Sequence, residues 1–484
     1  MSAMKDRYFL CIDAGTTRFK VACIMPDGRI AAKSDSHFHP LNVSTHEYSE
    51  SDLKLALKAT LREALSAIEP KRICAIGVTG HGPTLIPVGQ GGKMLASGVG
   101  YLDERVKRYI RRLSEKKEDH VTSTMYIPIA CFFKEELPSV YLRTFKFLQS
   151  FDYLAFLLTG EFTASSASSG IKPWKSDKVL DSGLDIDKFP DIHYLGSCIG
   201  KVCHTASLEY EIPEHTPLYA IGVDFSASLV GTGAIEAGRS CERAGSSGGL
   251  NLCWDREISD VRLLCYTHFM PGFWNVAGIM SASGISVEWI GRVLGIKDIE
   301  GWQPSKYKSP DMESSGTPSS IIFFPYLRGE RTPLWNPYAR GVFFGLDESH
   351  TAVDLIRSVF TGVALSIRDV AEIIEENGGR FLKPVVTTGG SAANRWFNQL
   401  KADVTGKPFC ITRTQDAELI GIACVLAEQT GFYSDLLEAT RKIVSIEETF
   451  EPDKKRHEVY TELYSLYRKL RSDLAGYFTP RQSI

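Results

Sequence analysis

The sequence predicts an α/β protein of two large domains that meet at a cleft, and three observations carry that expectation. Short apolar runs of strand length, residues 8–12, 72–78 and 218–223, each end in an acid or a glycine-rich turn, as strands buried on both faces do when they present ligand-binding groups at their carboxyl ends. Amphipathic helical stretches alternate with these runs. Two loops rich in glycine and hydroxyls, residues 13–17 and 245–249, open the two halves of a 484-residue chain, a length that suits two to four domains of about 150 residues each.

Residues 8–12 and 20–24 are rich in β-branched and apolar side chains, and Gly15-Thr16-Thr17 supplies the turn between them, so the chain opens on a hairpin with a polar tip. Asp27-Gly28 marks the next turn of the same sheet. Ser51 is placed to cap a helix whose Leu53, Leu57, Leu61, Ala64, Leu65 and Ile68 recur on one face. Residues 72–78 then read as a buried strand delivering Thr79-Gly80-His81-Gly82-Pro83 at its end. A helix starts near Asp103, residues 142–158 read as helix stopped by Gly160, and residues 218–224 repeat the pattern of a buried strand ending in an acid. A boundary near Arg239, where the Gly238 turn closes the first sheet, gives domains 1–240 and 241–484. In the second, Gly245-Ser246-Ser247-Gly248-Gly249 looks like another phosphate hairpin. A strand at 321–326, a long helix over about 353–377 and a strand at 384–388 follow. Two further helices carry Trp396, Phe397, Leu400 and Val404, and then residues 419–426.

With 43% hydrophobic and 23% charged residues the composition is that of a globular protein with ample core. A net charge of −3 lacks the concentrated basic surplus of a nucleic-acid or anionic-membrane binder, so neither partner is expected. Eleven cysteines without a Cys-x-x-Cys pair read as buried thiols of a reducing compartment. No segment approaches the roughly 18 apolar residues of a membrane helix. A cytoplasmic protein is expected, with a homodimer left open.

Asp13 closes the first strand, and the Gly15-Thr16-Thr17 turn behind it offers N–H and O–H donors to a phosphate, while the carboxylate suits a magnesium shell. Lys20 adds a positive charge from the returning strand. An ordinary hairpin turn is the alternative for this segment alone. The arrangement resembles the first phosphate loop of the actin-like ATPase superfamily. Four segments are similar, in order, to the pattern of the FGGY carbohydrate kinase family: Asp13-Ala-Gly-Thr-Thr17, Gly222-Val-Asp224 with Gly231-Thr-Gly233, Gly245-Ser-Ser-Gly248, and Gly389-Gly-Ser-Ala-Ala-Asn394. A fifth stretch, residues 325–333 running on to 336–341, is similar to a signature of that family. The resemblance implies two actin-like (ribonuclease H-like) domains with the active site in the cleft between them, ATP and Mg²⁺ as cofactors, and a small sugar as acceptor. It also implies that the N-terminal domain holds the sugar and the base, and the C-terminal domain the nucleotide. Carried over residue by residue, it puts Asp13 on the magnesium through water and Thr16, Thr17 and Lys20 on the phosphates. Ser246, Gly284 and Glu288 fall on the nucleotide side, Gly390 and Asn394 along the adenine and ribose pocket.

Asp224 matches the family's general base. Physically, a carboxylate on a rigid strand end can take the proton of an attacking hydroxyl; its alternative is to cap the helix that follows. Many family members carry Gln-Met-His or Gln-Arg-Glu where this chain has His81-Gly82-Pro83, which removes two bulky polar side chains. His81 is a candidate sugar contact or a turn residue. Tyr101 matches an aromatic that stacks on the sugar, and Asp103 an acid that accepts its hydroxyls, or else simply starts the next helix. The implied activity is ATP-dependent phosphorylation of a ketopentose, deoxyhexulose or related polyol. A partner-driven ATPase of the same superfamily and a catalytically degenerate sugar sensor are the alternatives.

Overall fold

The structure, a computed structural model, describes residues 6–15, 18–37, 49–100, 103–114, 126–168, 173–304 and 320–479; Thr16, Thr17 and Tyr101 lie outside them. The chain forms two compact units, Met1–Gly231 with Ala417–Val444, and Thr232–Asp416 with Ser445–Ile484. This differs from a single cut at residue 240. The Gly238 turn belongs to the second unit, where its N–H donates to Cys253 O and its carbonyl accepts from Leu382. The apolar helix Ala417–Gln429, by contrast, returns to cover the first sheet.

The first unit is built on a six-stranded sheet ordered Cys198–Lys201, Pro217–Val223, Ile73–Gly80, Tyr8–Ala14, Arg18–Ile24, Ile30–His37. Pro217–Val223, Ile73–Gly80 and Tyr8–Ala14 run parallel, and the flanking strands are antiparallel. Register then decides what the sheet presents at one end: Gly222 lies beside Thr79, Thr79 beside Asp13, and Asp13 beside Lys20. One face is covered by helix Glu50–Ser66, whose Leu53, Leu57, Leu61, Ala64 and Leu65 are buried. Its cap is Ser49, not Ser51, because the Ser49 hydroxyl accepts the Asp52 N–H. Where one helix was expected over 142–158, a short helix Pro138–Arg143, a strand Lys146–Leu148 and a helix Ser150–Thr159 follow one another. The strand pairs with Thr84–Val88, a partner 60 residues upstream that local periodicity does not reveal.

The second unit carries a seven-stranded sheet ordered Leu264–Thr267, Trp274–Met280, Gly248–Trp254, Ser240–Ala244, Val385–Thr388, Phe409–Thr412, Ile446–Phe450. Its central five strands repeat the first unit: an antiparallel meander of three, then two parallel strands on the far side of the first. Helix Ala352–Glu376, fixed at its start by a reciprocal Thr351–Asp354 capping box, runs through the core of this unit.

Candidate active site

In the first unit, Lys20 Nζ stands 3.5 Å from Asp13 Oδ2 and 3.8 Å from Glu418 Oε2, and Ser228 Oγ donates to Glu418 Oε1 at 2.7 Å. Asp13 is buried, and among the described residues its Oδ1 has no hydrogen-bond partner. Burial pushes its carboxyl well up, Lys20 pulls it back, and the charges of Glu418 and Asp224 raise it again. Four groups from three parts of the sequence therefore share one electrostatic site. Asp224 is the first residue of helix Asp224–Gly231, directly after the strand, and its Oδ1 accepts the Phe225 N–H at 2.6 Å. The helix-start position is thus realised, and the charge of Asp224 is felt at Asp13.

His81 lies against the end of the first strand, with its backbone N–H 3.0 Å and its Nδ1 2.9 Å from Ala14 O. Asp103 is fully buried, and its carboxylate accepts the backbone N–H of Arg105 and both Nε and Nη2 of that guanidinium at 2.6–3.1 Å. Its carbonyl also accepts the Val106 N–H, so the helix-starting role is occupied. Any sugar hydroxyl reaching Asp103 competes with Arg105 for the same oxygens.

In the second unit the exposed hairpin tip Gly245-Ser246-Ser247 is strapped to the start of helix Ser283–Leu294: the Gly284 N–H donates to Gly245 O at 3.1 Å and the Ile285 N–H to Ser246 O at 3.2 Å. A methyl group on Gly284 would lie 2.6 Å from Gly245 O, so only glycine permits this approach. Glu288 is exposed on the same helix. A methyl on Gly390 would make ordinary contact with the Glu300 carboxylate, at 3.6 Å. Asn394 stands at the start of the next helix. It caps helix Arg395–Thr405 by accepting the Phe397 N–H, and both amide hydrogens go to Glu300 O and Trp302 O at 2.8 Å. Both of its amide donors are thus spent within the protein.

Glu418, Tyr126 and Asp152 did not stand out in the sequence. Asp152 is fully buried, burial raises its carboxyl to about 7, and it accepts from Gln149 Nε2 and Ser165 N. An acid inside or heading an otherwise apolar helix was the available signal for Asp152 and Glu418.

Two units that repeat one sheet topology, each with a glycine-bearing hairpin at its centre, define a two-domain ATPase fold of the actin-like class. Residues 8–231 match the N-terminal domain and residues 244–428 the C-terminal domain of the FGGY family of carbohydrate kinases, and the chain belongs to that family. It is similar to the xylulose kinase of Bacillus subtilis (strain 168), at 23% identity over 96% of each chain, and to the gluconokinase of the same strain, at 23% identity over 97% of this chain and 98% of the other. In fold it resembles a gluconate kinase from Lactobacillus acidophilus, with a TM-score of 0.85 at 20% identity, over 98% of this chain and all of the other. It is thus a carbohydrate kinase, which phosphorylates a sugar with ATP and Mg²⁺. Among the described residues no helix is long and apolar enough to cross a membrane.

Proposed function

We propose that the chain phosphorylates a hydroxyl of an open-chain sugar of the ketopentose, deoxyhexulose or polyol class, with Asp224 as the general base. The observation that carries this reading is the shared field of Asp13, Lys20, Asp224 and Glu418, with two of the acids at the carboxyl ends of parallel strands. The xylulose kinases and gluconokinases among its relatives favour an open-chain acceptor of five or six carbons.

The attacking sugar oxygen forms its bond to the γ-phosphorus as the bond to the ADP oxygen breaks, and its proton passes to Asp224. Lys20, held by two carboxylates on one side, offers its charge to the phosphates on the other. Thr16 and Thr17, which lie outside the described residues, are the proposed hydroxyl donors to phosphate oxygens, while Ser246, Gly284, Glu288 and Gly390 of the second unit are the proposed nucleotide contacts. The lone buried Oδ1 of Asp13 fits a water of the magnesium shell. Held there through water by Asp13, the ion would supply positive charge to offset that of the phosphates. His81 and Asp103, with Tyr101, are the remaining acceptor-side candidates.

ADP release measured over ketopentoses, deoxyhexuloses, sugar acids and polyols tests the reading. One or a few open-chain sugars are expected to stimulate release strongly. ATP hydrolysis that no sugar stimulates, or that needs a protein partner, would replace it with the ATPase reading.

A further inference from the structure

Tyr126 opens helix Tyr126–Glu136 in the first unit, about 45 residues along the chain from Gly82, yet the two meet. A methyl group on Gly82 would lie 2.7 Å from the Tyr126 hydroxyl oxygen and 3.3 Å from Val223 Cγ2. The phenol therefore fills the place a side chain at residue 82 would take. Val223 immediately precedes Asp224, so this contact falls at the shared carboxyl end of Ile73–Gly80 and Pro217–Val223. Burial first, then the charges of Asp152 and Asp224, hold the phenol well above its usual range, so it stays a protonated donor within the field of the base. Its ring meets buried Trp174 edge to face, centroids 6.3 Å apart, which fixes its direction.

We propose that Tyr126 is a sugar-binding residue: its hydroxyl donates a hydrogen bond to an oxygen of the acceptor held before Asp224, and Gly82 is the residue that makes room for it. This rests on the kinase reading above with Asp224 on the acceptor side. A site built to hydrogen-bond a substrate oxygen loses affinity sharply when the donor is removed, because the oxygen is left unpaired against an apolar ring.

Tyr126→Phe removes only the oxygen and keeps the contact with Trp174. With D-xylulose or D-gluconate as the probe, whichever the unaltered chain turns over faster, KM for the sugar should rise about tenfold or more, while KM for ATP and the thermal midpoint hold. Gly82→Ala, which pushes the phenol off its seat, should raise KM for the sugar in the same direction. An unchanged sugar KM in Tyr126→Phe overturns the inference, and so does a loss that falls equally on sugar and ATP or tracks a lowered thermal midpoint. If the unaltered chain phosphorylates no sugar at all, the kinase reading fails and this inference with it. An active enzyme with a silent Tyr126→Phe removes this inference alone.

Discussion

Lys20 stands between two acidic side chains, Asp13 and Glu418, before any phosphate arrives. In this partly buried setting each carboxylate fixes the lysine's position as well as its charge. Glu418→Gln keeps the oxygen that accepts from Ser228 and removes the charge. Turnover should then fall about tenfold with little change in sugar KM, as steady-state kinetics over both substrates would show. At this scale Asp13, Lys20 and Asp224 were legible because each ends or faces a strand that reads as buried from its own neighbours. Glu418 and Tyr126 were not, since what gives them meaning are partners some 400 and 45 residues away. Asn394 and Asp103 show the converse: their types and positions were readable, but which hydrogen bonds they spend was not.

Among the elements, the segment around Glu330 holds the second hairpin in place at one remove. Glu330 Oε1 accepts the Ser281 and Arg331 N–H groups, and the helix that starts two residues after Ser281 carries, at Gly284 and Ile285, the two N–H groups that strap Gly245 and Ser246. Burial raises the Glu330 carboxyl to about 7, against the pull of those N–H groups and of the Arg331 charge, and its Oε2 has no hydrogen-bond partner among the described residues. A carboxyl raised on folding stabilises the fold at low pH, where it is protonated in both states, and that contribution is lost as pH climbs through about 7. Between pH 5 and 8 the protein should lose about 2 to 3 kcal/mol relative to Glu330→Gln, which keeps the accepting oxygen and cannot ionise. Denaturant unfolding of the pair across that range checks it, and parallel curves would mean the buried charge is not felt. This device was invisible in the sequence, where residues 325–333 announce themselves as a signature without saying what they support. The strand Lys146–Leu148 was missed for a related reason: apolar residues on both sides kept a helical spacing, and only its pairing with Thr84–Val88 makes it a strand.

For the whole molecule, the two-unit plan was legible from its repeated glycine loops, and the path of the chain through it was not. An apolar helix reads the same whichever sheet it covers, so residues 417–444 gave no sign of returning to the first unit. Its docking is recorded in two glycines. Side chains on Gly231 and Gly421 would run into the backbone carbonyls of Ala417 and Ala227, so helices Asp224–Gly231 and Ala417–Gln429 touch backbone to backbone. Gly421→Ala should destabilise the first unit by about 1 to 3 kcal/mol or more and disturb both Asp224 and Glu418, which thermal unfolding and turnover would report together. If the first unit supplies base and acceptor site and the second most nucleotide contacts, as proposed above, the two functions should separate at Asp224. The most direct test is Asp224→Asn, assayed for turnover on the preferred sugar and, on the same preparation, for ATP affinity. Turnover should fall about 10²- to 10⁴-fold while ATP still binds as before; activity within about threefold of the unaltered enzyme, or a loss confined to ATP affinity, would contradict it.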